Sequence, residues 1–155
     1  MYNMISWFEL CGSLQRTSIV EGDSLLITRE MDYALRILRA LHREGQLSAA
    51  AVARQEHMPK AITLKLLNRL LAAGIVESRR GVSGGYFLRH RCEDMTIYDI
   101  FQSLGDPPLL NRCQREGYQC ENFQRGGCGI CRELCRVQDA LNQELRRTPL
   151  SDLFQ

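Results

Sequence analysis

Five cysteines stand within a short span of the chain, at positions 113, 120, 128, 131 and 135. The pattern reads C-x6-C-x7-C-x2-C-x3-C, with Gly117, Gly126, Gly127 and Gly129 among the thiols. Glycine lets a short segment turn back on itself. Several thiolates around one point are what a soft metal ion or an iron–sulfur cluster requires. Disulfide bonding, thiol redox sensing and simple packing are the competing uses. Disulfides belong mainly to small secreted chains. The opening residues MYNMISWFELCGSLQR show no positive start followed by an apolar run, so no export signal is read there. No run reaches the roughly 18 apolar residues of a membrane span. The expectation is a cytoplasmic protein with reduced cysteines, which favours metal or cluster ligation.

Such a site needs a scaffold, and 155 residues with 45 % hydrophobic content suffice for one domain and an appendage. The net charge of +2 hides an uneven distribution. Residues 26–91 carry 12 Lys and Arg against 5 Asp and Glu, whereas residues 92–155 carry 7 against 10. A basic module followed by an acidic, cysteine-bearing one suggests that the first meets nucleic acid. Residues 1–25 have no clean periodicity and are expected to be a disordered extension that contains Cys11.

The basic module has helical punctuation. Thr28 caps a helix whose Met31, Ala34, Leu35, Leu38 and Leu41 recur at three- and four-residue spacing, and Gly45 ends it. Ser48 caps a short second helix, and Pro59 opens a third that runs to Ala73. Two short helices joined by a tight turn are a helix-turn-helix. Projected at 100° per residue, the third helix places Ile62, Leu64, Leu66, Leu67, Leu70 and Leu71 on one arc. Ala61, Lys65, Asn68, Arg69 and Ala72 fall on the other. Strand, glycine turn and strand follow in IVESRR-GVSGG-YFLR, the hairpin that serves as a wing. Lys60, Lys65, Asn68 and Arg69 are the candidates for the major groove. Arg79, Arg80 and Ser83 are the candidates for backbone or minor-groove contact by the wing.

Beyond the wing, Thr96 caps a helix with the apolar stripe Ile97, Ile100, Phe101 and Leu104, and Pro107-Pro108 breaks the chain. After the third clustered cysteine, Ile130, Leu134, Val137, Leu141 and Leu145 repeat at coiled-coil spacing, the mark of a helix that pairs with its twin. Thr148-Pro149 ends it. The resulting division is a winged helix-turn-helix at 26–105, a cysteine loop at 106–128, a dimerisation helix at 129–147 and an apolar hook at 148–155. The fold class is mostly α with a small β-hairpin. His42, His57 and His90 are isolated, and no acid–base pair sits in a glycine-framed site, so no enzyme is expected.

The segments LLITREMDYALRILRAL, GVSGGY and TIYDIF, the cysteine loop and the terminal TPLSDL together resemble the bacterial winged-helix regulators typified by the iron–sulfur cluster regulator IscR and the nitric-oxide-sensing repressor NsrR. The resemblance covers residues 26–155. It implies a homodimeric DNA-binding regulator, most simply a repressor, on a palindromic operator of double-stranded DNA, with an iron–sulfur cluster of two or four irons tuning affinity. It places the family's three ligating cysteines at Cys113, Cys120 and Cys128. A position that is histidine in some members is here Cys131. The chain departs from the family in offering four or five thiolates: Cys113, Cys120, Cys128 and Cys131, with Cys135 as the alternate. Zinc is the alternative metal, but the loops of six and seven residues exceed the usual zinc spacings and favour a cluster. A zinc-stabilised regulator without sensing and an electron carrier are the competing functions. The resemblance begins near Leu25, so residues 1–24 are expected to be dispensable or a product of start-site choice, which the mass of the natural protein tests.

Overall fold

The structure is a computed structural model that describes residues 26–81, 84–105, 107–120 and 127–155. The extension at 1–25 and the wing-tip residue Ser83 lie outside them.

The fold begins with α1, Arg29–Glu44, whose start and stop are set by local chemistry. The Thr28 hydroxyl accepts from the Met31 amide, Glu30 and Asp32 occupy the first turn, and Gly45 closes the helix at a positive φ of 75°. Met31, Ala34, Ile37, Leu38, Ala40 and Leu41 of α1 are buried. Strand β1, Gln46–Leu47, follows, then α2, Ala49–Gln55, capped by Ser48. The turn into α3, Lys60–Ala72, passes through His57 in the left-handed region at φ 52°. Pro59 is the N-cap of α3 rather than its first helical residue, and the helix closes one residue earlier than its pattern suggests. One buried charge joins these elements: Glu56 receives the Arg39 guanidinium in a two-pronged pair.

The wing consists of β2, Val76–Arg79, and β3, Gly85–Leu88, paired antiparallel with Ser78 opposite Tyr86. The hairpin gains a third strand. Strand β1 pairs with β3 through Gln46–Phe87 and Leu47–Tyr86, so β3 is central in a sheet of order β1-β3-β2. Gly85 is required at that crossing, because a Cβ there would sit 2.8 Å from the Leu47 carbonyl oxygen. At the turn, a Cβ on Gly84 would meet the Arg79 carbonyl oxygen at 2.4 Å.

Helix α4, Ile97–Ser103, starts with a reciprocal cap in which Thr96 and Asp99 satisfy each other's backbone amides. Its Ile100 and Phe101 enter the core formed by Leu38, Leu41, Val52, Leu66, Leu67 and Leu70. The long helix α5, Gly129–Arg147, then leads through Pro149 into a final turn, α6, Leu150–Leu153. The chain end returns to the first core. Leu150 and Phe154 are buried in it, the Leu150 amide donates to the Met95 carbonyl at 2.8 Å, and Arg43 donates to the carbonyls of Phe154 and Gln155. Arg146 lies over the Tyr98 ring at 3.6 Å. Together these contacts fasten the C-terminal end of α5 to the winged helix.

Candidate nucleic-acid interface and cysteine cluster

Helix α3 buries Thr63, Leu66, Leu67 and Leu70 and presents the opposite side outward. That open side differs from its projection in two ways. Leu64 and Leu71, expected in the core arc, are 43 % and 38 % exposed. The burying surface on α1 and α2 covers a narrower arc than the helix's apolar content. Two of the four expected groove residues are engaged within the chain. Lys65 Nζ lies 2.5 Å from Glu30 Oε1. Arg69 gives Nη1 to Glu30 Oε2 at 2.6 Å and Nη2 to the Leu104 carbonyl at 2.7 Å. Glu30, fixed by its place in the first turn of α1, is held below the usual carboxylate range, chiefly by its hydrogen bond with Lys65. Lys60 and Asn68 are exposed. On the wing Arg80 is exposed, and the Arg79 guanidinium sits 5.7 Å from the Phe87 ring centre.

The cysteine segment is held differently. Asn111 and Gln114 cap the short 3-10 turn Arg112–Gln114 reciprocally, and the Asn111 side chain accepts from the Cys113 amide at 3.1 Å. The Gln114 side chain then donates to the Leu134 carbonyl of α5 at 2.9 Å. Gln138, one of few buried polar side chains, accepts from the Leu110 amide and donates to the Pro108 carbonyl, both at 2.8 Å. Its carboxamide pairs with that segment as another backbone would. No feature of spacing singled out Gln138. A glutamine on the flank of an amphipathic helix reads as solvated surface until the segment that covers it is known.

Those bonds bring the thiols together. Burial first, then hydrogen bonding and charge from Cys120, then the charge of Cys128, push the Cys113 thiol up, while a hydrogen bond from Cys131 opposes them. The Cys131 thiol is raised chiefly by its hydrogen bond to Cys135, with Sγ–Sγ 4.0 Å, and also by burial and by the charges of Cys135, Cys113 and Cys128. Cys128 is the N-cap residue of α5, with Cys131 two residues beyond the first helical residue, Gly129. Among the described residues, no three of His, Cys, Asp and Glu already close on one point in ion-holding geometry. The donor chemistry nonetheless suits a soft cation: thiols that raise one another's pKa ionise readily once positive charge sits between them. Cys92 is separate, buried in the core with its thiol pushed up to about 11 by burial. Cys11 lies outside the described residues. No described helix is long and apolar enough to cross a membrane.

The model of the Rrf2 family, described as iron-dependent transcriptional regulators, matches residues 27–155. The chain belongs to the Rrf2 family. An rrf2-like HTH-type transcriptional regulator of Rhodobacter capsulatus is 33 % identical over 122 residues, covering 73 % of this chain and 77 % of that protein. The regulator IscR of Photorhabdus laumondii is 30 % identical over 82 residues, 52 % of this chain and 50 % of its own. Among solved structures, CymR, the global cysteine regulator of B. subtilis, superposes with a TM-score of 0.64 at 27 % identity, covering 84 % of this chain and 96 % of that one. The relatives are DNA-binding transcriptional regulators, a non-enzymatic role. The winged-helix fold and the family expected from the quoted motifs are both found.

Proposed function

We propose that this Rrf2-family regulator acts as a homodimer on a palindromic operator, and that an iron–sulfur cluster held by its cysteines adjusts its affinity for DNA. The observation that carries this reading is the two-ended anchoring of α5. The thiols of Cys113, Cys120, Cys128, Cys131 and Cys135 gather about its N-terminal end. Its C-terminal end is fixed to the DNA-reading core by Arg146, Leu150 and Phe154. At 1.5 Å per residue the 19 residues of α5 span roughly 28 Å as a stiff rod. Cys113, Cys120, Cys128 and Cys131 are the ligands assigned, and the contact at 4.0 Å makes Cys135 the partner that can replace Cys131. When bound, a cluster supplies a centre that oxidants and nitric oxide modify. The chain's own part is mechanical. Drawing Cys113 toward α5 moves the 107–114 segment against Gln138 and Leu134, and so shifts α5 relative to α4.

Dimerisation is supported by the same helix. Ile130 is 72 % and Val137 39 % exposed, on the stripe that continues through Leu134 and Leu141. A second copy of α5 covers that stripe and sets the distance between two α3 helices, which must match successive major grooves about 34 Å apart. Lys60 and Asn68 of α3 and Arg79, Arg80 and Ser83 of the wing meet DNA. Lys65 joins them by leaving its exposed pair with Glu30, a small loss. Arg69 keeps α3 in place against α1 and α4.

Purification without oxygen tests the sensing half. Bound iron and sulfide with visible absorption are expected, together with a several-fold change in operator affinity on chelation, since couplings of about 1–3 kcal/mol suffice. Cys113→Ser should remove the colour. Colourless protein with one zinc per chain would replace sensing by structural stabilisation. Equal affinities of loaded and chelated protein would remove the switch. A second reading rests on the Cys131–Cys135 contact: two thiols this close, one partly and one fully accessible, can respond to oxidants without any metal. Retained oxidant response after complete iron removal, lost in Cys135→Ser, would favour it.

A further inference from the structure

On the open side of α3 the forked cation best suited to guanine, Arg69, is engaged within the chain. Guanine offers two acceptors in the major groove and is met best by a forked or doubly bonding cation. The guanidinium of Arg69 is committed to Glu30 and to the Leu104 carbonyl, and Lys65 also points its ammonium at Glu30. Besides Lys60, Lys65 and Ala72, the outward residues along the helix are Ala61, Leu64, Asn68 and Leu71. Positions 61, 64 and 68 are three and four apart and form one line along the helix. Asn68 has a carboxamide that donates and accepts side by side, the complement of adenine N6 and N7. Leu64, 43 % exposed, can bury its methyl groups only against another apolar group. The C5 methyl of thymine is the one such group that base edges present in the major groove. Against a guanine or cytosine edge the same leucine would strip water from polar atoms and return no hydrogen bond.

We infer that Asn68 and Leu64 make this regulator specific for A·T pairs at the centre of each operator half-site, with an adenine bonded to Asn68 and a thymine methyl packed on Leu64. The inference rests on the reading that the open side of α3 enters the major groove. It adds the base chemistry that this side selects. Ala61 leaves room for the approach, and Lys60, at the start of the helix, is placed for phosphate.

The test uses the full chain, isolated without oxygen, and a random pool of duplex DNA. Enriched half-sites should share adjacent A·T pairs at their centre. Replacing the critical thymines by uracil, which removes only the methyl, should weaken binding about fourfold, the worth of one buried methyl-sized group. Leu64→Ala should bind about as weakly and no longer distinguish thymine from uracil. Asn68→Ala should lose about tenfold in preference for A·T over G·C. Both residues are exposed, so the variants should keep the wild-type circular dichroism and melting. Half-sites with G·C at the centre, or a Leu64→Ala variant that still prefers thymine to uracil, would overturn the inference while leaving DNA binding intact. Failure to bind any duplex at low salt would instead remove the reading of α3 beneath it.

Discussion

The winged-helix core and the cysteine segment are built on opposite principles. In the core, side chains from α1, α2, α3, α4 and the chain end interlock with almost no exposure, and α1, α2 and α4 carry side-chain caps. The cysteine segment is held to α5 by a few amide bonds from Gln114 and Gln138, and its thiols remain partly or fully accessible. Apolar burial makes the first region complete without help. The second has directional bonds and unspent ligand capacity, so its geometry answers to whatever the thiols bind. Under the proposed sensing role, that asymmetry keeps the DNA-reading part constant while the cysteine segment rearranges at small cost.

The largest effect expected from breaking this contrast is in the core. Phe101→Ala should cost about 3–5 kcal/mol, read from denaturant unfolding, because a fully buried ring leaves a cavity. Ile130→Ala, on the uncovered end of α5, should leave protomer unfolding nearly unchanged and should weaken self-association in sedimentation. Gln138→Leu should cost about 2 kcal/mol by leaving the Pro108 carbonyl and Leu110 amide unpaired. It should also shorten iron retention, whereas a core change of equal cost should not. Arg80→Ala should reduce the salt slope of operator binding by about 1, with no change in melting; an unaltered slope would place the wing tip off the phosphates. The smallest effect concerns Glu30. Its folded pKa is depressed, so its contribution is present above the ordinary carboxylate range and is lost as pH falls through the folded value. Glu30→Gln should flatten that acid limb by a few tenths of a kcal/mol, as suits an exposed pair.

Much of the fold was legible because its signals are local. Thr28, Ser48 and Thr96 cap where their side chains can reach amides three residues on. The wing follows from glycines that leave room for close backbone crossings. Helix α5 runs over the residues its apolar repeat marks. Strand β1 escaped notice, since two residues cannot display alternation and are a strand only through pairing with β3. The exposure of Leu64 and Leu71 escaped for a related reason: helical projection orders side chains around an axis but does not say how wide the covering surface is.

Residue order and local physics were enough for the caps, the helix-turn-helix and the wing, because each depends on groups close along the chain. Folding in three dimensions chose the rest. It spent Arg69 on Glu30 and Leu104, made Gln138 a backbone partner, and returned Phe154 to the first helix. Each of those outcomes joins residues at least 28 positions apart. No nearest-neighbour propensity carries such information; only the competition of all surfaces for burial and of all polar groups for partners resolves it.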